Sequence, residues 1–208
     1  PWQWSIYRWI EGQSPPGAGM RQESPPRAVA LALARFVQAL WVLDATDGPP
    51  PDEFNAFRGV PLAARDAQVR RALAELRKAH DGLLDTEAAQ AAWEEALAAP
   101  AWEGPPRWIH GDLQPANLLM RRGRLQAVID FGCMGVGDPA CDLQVAWNFL
   151  SGESRDVFRK ALGVDGATWA RGRGWALSVG LIALPYYRET NPLLAGIARH
   201  TIEEVAGL

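Results

Sequence analysis

Few residues in this 208-residue chain are arranged as specifically as three oxygen-bearing side chains near its middle. In HGDLQPANLL, His110 to Leu119, Asp112 stands five residues before Asn117; thirteen residues later the string IDFG sets Asp130 ahead of Phe131 and Gly132. Phosphoryl transfer to a hydroxyl asks for such groups. One carboxylate orients the acceptor hydroxyl and takes its proton, and hard oxygen donors hold the Mg2+ that neutralises the phosphates. Five residues of loop let Asp112 and Asn117 point into one cleft. If the chain then runs out as a strand from Asn117, reverses at RRGR (Arg121 to Arg124) and returns, Asp130 ends beside Asn117, and two oxygen donors lie side by side.

Other polar residues have plainer readings. An Asp or Asn in a loop, taken alone, is a turn former. His110 is expected to bond backbone and shape the loop rather than act as acid or base. Asp138 followed by Pro139 reads as a helix N-cap with Pro at the first position. Asp142 either buttresses the catalytic loop or complements the helix dipole. His80 and His200 read as exposed helix residues.

The elements that must position these groups are mostly helical. Residues 4–10, WSIYRWI, are β-branched and aromatic and predict a strand, followed by a Gly/Pro/Ser-rich loop. A helix is expected from Pro26, with Val29, Leu33, Phe36, Leu40 and Leu43 on one face. A loop from Asp47 to Gly59 holds three consecutive prolines, three acids and two phenylalanines, and is long enough to line a pocket. Helices are expected over 62–80 (Val69, Leu73 and Leu76 inward) and 86–99. Short apolar runs at RWIH, NLLM and LQAVID then predict a small β element. Helices follow over about 139–150, 154–162, 167–184 and 191–206. The fold class is thus α+β, mostly helical, with a small β-hairpin carrying the chemistry.

Composition removes several functions. A net charge of -3 argues against a nucleic-acid partner, and the chain has no apolar run of spanning length and no leader-like start. Cys133 and Cys141 lack metal-ligand spacing and read as reduced thiols of a cytoplasmic protein. The ten Trp are scattered and read as core or pocket walls.

Residues 108–148 resemble the catalytic segment of the aminoglycoside phosphotransferase family, small-molecule relatives of the protein kinases. His110-Gly111-Asp112-Leu113-x-x-x-Asn117 and Asp130-Phe131-Gly132 carry the likeness, and GDPACDL, Gly137 to Leu143, resembles the family's next motif. Gly111 stands where protein kinases have Arg, and no APE-like element follows Gly132, which disfavours a protein serine/threonine kinase. The resemblance implies the C-terminal lobe of a protein-kinase-like fold, with Asp112 as catalytic base, Asn117 and Asp130 as Mg2+ ligands, and ATP or GTP as donor. It implies that YRWIEG, Tyr7 to Gly12, is a hinge strand. Backbone near Arg8 and Ile10 would bond a purine, with Leu119 and Ile129 against its face. Gln114 departs from the family, which often has His there.

The expected division is a hinge remnant over 1–12 and one helical catalytic lobe over 13–208. Lys78 and Lys160, the two lysines, sit in helical surroundings after the hinge, and no Gly-rich loop precedes residue 1. The expectation is a chain without its N-terminal lobe, turning over little alone. Tyr7, Trp9, Leu119 and Ile129 would form an apolar patch open to self-association. The partner is expected to be a small hydroxyl compound. From Asp138 onward there are eight acids against seven Lys plus Arg, so an amphipathic or sugar-like acceptor is as plausible as an aminoglycoside. A non-catalytic binding lobe is the remaining alternative.

Overall fold

A computed structural model of the chain describes residues 6–15, 25–79 and 84–207. The first helix, α1 (Arg27–Trp41), buries Val29, Ala30, Leu33, Ala34, Val37 and Leu40. It stops before Leu43, which is exposed, because the Asp44 carboxylate accepts from the Thr46 N–H and hydroxyl and turns the chain out of the helix. Residues 47–59 form turns, as expected. A 3-10 turn (Leu62–Arg65) leads into α2 (Asp66–Ala79), which buries Val69, Leu73 and Leu76. His80 lies outside the described residues. The third helix, α3 (Thr86–Leu97), starts where Asp85 accepts the N–H groups of Glu87 and Ala88.

Two small antiparallel sheets follow. Strand β1 (Arg107–Ile109) pairs with β4 (Gly135–Gly137), and β2 (Leu118–Arg121) pairs with β3 (Arg124–Val128). The β2–β3 reversal uses Arg122 and Gly123, with φ of 51° and 72°. Both central residues of a type I′ hairpin turn need this left-handed region. Beyond β4, the expected helix over 139–150 is instead a 3-10 run (Pro139–Gln144) with one short helix, α4 (Val145–Asn148). Then come α5 (Gly152–Leu162), α6 (Gly166–Tyr187) and α7 (Pro192–Ala206), the last two begun by Asp165 and Asn191 side-chain caps.

Helix α6 runs through the centre of this body, packed on α2, α3, α7 and the 3-10 run. Its sequence shows no apolar stripe because it is buried on most sides. Trp93 and Trp175 fill the core. The architecture is α+β and mostly helical, and no helix among the described residues is long and apolar enough to cross a membrane.

The strand expected at 4–10 does not form over its described part. Residues 6–12 have no ladder partner, and Ile6, Tyr7 and Trp9 are exposed. A strand needs a neighbour for its N–H and C=O groups. That neighbour appears only at Gln13, which exchanges two backbone hydrogen bonds with Met120 at 3.0 and 2.8 Å.

Candidate functional site

The loop between β1 and β2 is held by buried side chains. Asp142, fully buried, accepts from the His110 N–H at 2.7 Å and the Gly111 N–H at 2.8 Å. It is the loop's buttress, and the dipole alternative falls away. Burial pushes its carboxyl above the ordinary range, opposed by these two N–H groups. The His110 ring bridges the loop to β3: Nε2 donates to Ile129 O at 3.0 Å, and Nδ1 accepts from the Asp112 N–H at 3.2 Å. A carbonyl only accepts and an amide N–H only donates, so one neutral tautomer satisfies both. His110 is therefore structural, as expected. Gly111 has φ +80°, and a Cβ there would lie 2.3 Å from Cys133 O, which accounts for glycine at this position.

Further along, Gln144 Nε2 donates to Gly111 O at 3.2 Å and Asn148 Nδ2 to Leu113 O at 3.0 Å. The loop so fixed presents the Asp112 carboxylate to three donors. Gln114 Nε2 and Asn117 Nδ2 reach Oδ2 at 2.8 and 2.9 Å, and the Arg58 guanidinium reaches Oδ1 at 3.4 Å. Gln114, where the motif departs from the resemblance, thus orients the carboxylate.

Asn117 is buried and sits where the hairpin opens; its backbone O accepts from the Ile129 N–H at 2.9 Å, which sets Asp130 next to it across the ladder. Its amide nitrogen is committed to Asp112, leaving the amide oxygen as the atom that could meet a cation. Asp130 is exposed, in the left-handed region at φ 61°, with one carboxylate oxygen 3.3 Å from the Gly132 N–H. An amide oxygen and a carboxylate are hard ligands of the kind Mg2+ takes, with the remainder supplied by water and phosphate. The donor set fits that ion. Phe131 packs on His110, ring centroids 4.8 Å apart.

The four residues expected at the nucleotide divide into two groups. Leu119 and Ile129 are half-buried on the hairpin, whereas Arg8 and Ile10 are exposed in the unpaired segment before it. That segment is tied to the hairpin at Gln13, by Glu11 to Arg121 at 2.8 Å and by Ser14 to Ala116 O at 3.1 Å.

On the other side of Asp112, a cavity of about 250 Å3 runs between the His110–Asn117 loop and helices α6 and α7. The 47–59 loop reaches it as expected, but through Arg58. Its acids are not in the cavity wall, and Phe54 faces solvent. Pairing along β4 aims the loop: Val136 N–H bonds Pro49 O and Asp138 N–H bonds Gly59 O, both at 2.9 Å. Cys133 lies beside Arg58. Burial pushes its thiol up, with Arg58 pulling the other way. Asp138 caps the 3-10 run through Ala140, but the cap is only part of its role. It also forms a buried pair with Arg171, at 2.7 Å, that ties α6 to the motif.

A family model described as "Phosphotransferase enzyme family" (APH) matches residues 1–175. The chain belongs to that family. No curated protein sequence matches it significantly. Among solved structures, the GDP and kanamycin complex of an APH(2") enzyme superposes with TM-score 0.62 at 20% identity, covering 97% of this chain and 70% of that one. The gentamicin complex of APH(2")-IIa gives 0.56 at 19% identity, covering 94% and 72%. The macrolide 2'-phosphotransferase MphH from Brachybacterium faecium gives 0.50 at 24% identity, covering 86% and 60%. At these identities the likeness is one of fold.

Within this phosphotransferase-family lobe, sequence reasoning missed Arg58, Gln144 and Asn148. Arg58 carries no local signal. Gln144 and Asn148 do: they are four residues apart in CDLQVAWNFL, a run that is otherwise apolar apart from Asp142 and is buried throughout.

Proposed function

We propose that this chain is the catalytic lobe of a phosphotransferase that moves the terminal phosphoryl group of ATP or GTP to a hydroxyl of a small molecule. The observation that carries this reading is the Asp112 carboxylate, fixed by Gln114, Asn117 and Arg58 in the wall of a cavity of about 250 Å3, room for an organic acceptor. Asp112 orients the acceptor hydroxyl and accepts its proton as the new bond to phosphorus forms. Asn117 and Asp130 would hold Mg2+, which offsets phosphate charge when bound. Leu119 and Ile129 offer an apolar face for a purine, and the backbone near Arg8 and Ile10 supplies its hydrogen bonds. In this reading residues 1–12 are the hinge toward the nucleotide and residues 13–208 are the lobe. Relatives of the same fold solved with GDP and with ATP support a nucleoside-phosphate donor, and those solved with kanamycin or gentamicin support a small-molecule acceptor. Two free thiols suit a cytoplasmic setting.

The test is incubation with ATP or GTP, Mg2+ and a panel of hydroxyl compounds, with mass spectrometry of the acceptors. One compound should gain a phosphoryl group as nucleoside diphosphate appears, at the low rate expected of this chain alone. Nucleotide hydrolysis that no acceptor accelerates would overturn the reading.

A further inference from the structure

The cavity of about 250 Å3 beside Asp112 has two unlike sides. On the loop side, hydrogen-bonding capacity is nearly used up. Asp112 Oδ2 already accepts from Gln114 and Asn117, while Oδ1 has only the 3.4 Å contact with Arg58. Gln144 and Asn148 spend their amide nitrogens on the loop, and their amide oxygens are covered. The Asp112 side chain is 21% exposed, so a ligand finds one strong acceptor on this side, a carboxylate with room for a hydroxyl at Oδ1.

The other side is apolar, and the sequence shows why. Val179, Ala183 and Tyr187 follow at steps of four along α6 and share one face of it. Leu194, Ile197 and Ala198 stand at i, i+3 and i+4 on α7 and do the same there. Both faces line the cavity, and among the described residues neither helix adds a charged side chain to the wall. The Thr201 hydroxyl, also on α7, is turned away to Ile197 O at 2.7 Å. Although α6 and α7 pack on each other, Val179, Ala183, Tyr187 and Leu194 are only half-buried. Apolar surface is therefore left facing the space beside the carboxylate, within reach of a ligand. A ligand body that covers it removes that surface from water, which is favourable.

We infer that the acceptor is an amphipathic hydroxyl compound: a hydroxyl of its polar head meets Asp112 Oδ1, and a short alkyl or aromatic body lies against α6 and α7. The inference rests on the phosphotransferase reading of this site only in calling the ligand an acceptor. The amphipathic binding is read without turnover.

The experiment is calorimetry without nucleotide, on the full chain, with methyl, butyl and hexyl glucoside kept below their micelle concentrations. The head is constant and only the tail grows. Affinity should rise about fourfold for each methylene that reaches the helices, so that the gain from methyl to hexyl exceeds about tenfold. A smaller gain would overturn the inference. Two variants place the tail. Ala183→Trp fills the space between the helices. Leu194→Glu puts an acid in the first turn of α7, where the helix dipole favours it, and in the cavity wall. Either should flatten the series to within about threefold, and an undiminished gain in whichever variant folds would mean that the tail binds elsewhere and the inference fails. Phosphoryl transfer to methyl glucoside together with a flat series would sink this inference and leave the phosphotransferase reading standing. A steep series abolished by the variants, with transfer to no acceptor, would uphold the amphipathic site and count against that reading.

Discussion

The two halves of the candidate site are built differently. The His110–Asn117 loop is held by Asp142, Gln144, Asn148 and its own histidine ring, most of them fully or nearly buried. The Asp130–Gly132 turn, next to it across the hairpin, is exposed: the Asp130 carboxylate has one long hydrogen bond, from the Gly132 N–H, and the turn's other ties are the packing of Phe131 on His110 and the Met134 N–H on Phe131 O. Proton acceptance depends on a carboxylate already in position, and reorganising it during reaction would raise the barrier. Cation binding brings its own charge and its own ligands to finish the geometry. Under the proposed function, the side that would act alone is rigid, and the side that would act with a ligand is left open.

Four substitutions can break or sharpen that contrast. The largest effect is expected from Asp112→Asn, which keeps the shape and removes the proton acceptor. The kcat should fall by about 10²–10⁴-fold, with the unfolding midpoint little changed. A loss under threefold would mean the pinned carboxylate is not the base. Next is Asp142→Ala, which leaves two buried N–H groups unpaired. Urea unfolding should show a loss of about 2–6 kcal/mol, and activity should fall with it as the loop loosens. Asp130→Asn should behave in the opposite way. Stability should stay within about 0.5 kcal/mol, while the Mg2+ concentration needed for nucleotide binding, followed by fluorescence titration, should rise. If Asp130→Asn proved as destabilising as Asp142→Ala, the contrast between the halves would be gone.

The smallest effect concerns the helix behind the cavity. The Thr168 N–H holds the Asp165 carboxyl below its ordinary range. A lowered folded value means that the cap stabilises above the ordinary value near 3.9 and that this contribution is lost as pH falls through the folded one. Asp165→Ser keeps an N-cap without the titration. The acid limb of its stability profile should be slightly shallower than that of the parent, with no change in the Mg2+ requirement.

How much of this was legible in the sequence depended on the range of each interaction. The placement of Asp112, Asn117 and Asp130 in one region was legible because their spacing in the chain is short and a two-residue reversal converts it directly into adjacency. The type I′ turn at Arg122-Gly123 and the buried face of α1 are likewise local. Arg58 reaches Asp112 across 54 residues, through a loop aimed by pairing with β4, and no periodicity announces that. The β1–β4 pair was invisible for the same reason. The segment at 6–10 misled because aromatic and β-branched residues describe a surface seeking a partner, and the described chain supplies one only at Gln13. In 139–150, uniform burial mimicked a helix, while the backbone formed tighter turns that let Asp142, Gln144 and Asn148 all reach one loop.

The left-handed backbone at Asp130, φ 61°, costs a side-chain-bearing residue about 1 kcal/mol that glycine would not incur. Selection for heat resistance alone would therefore drift toward glycine at this site, giving sturdier molecules that lack the carboxylate proposed to hold the cation. Laboratory evolution of this chain has to screen for turnover in every round, or it will discard the residue that the proposed function needs between nucleotide and acceptor.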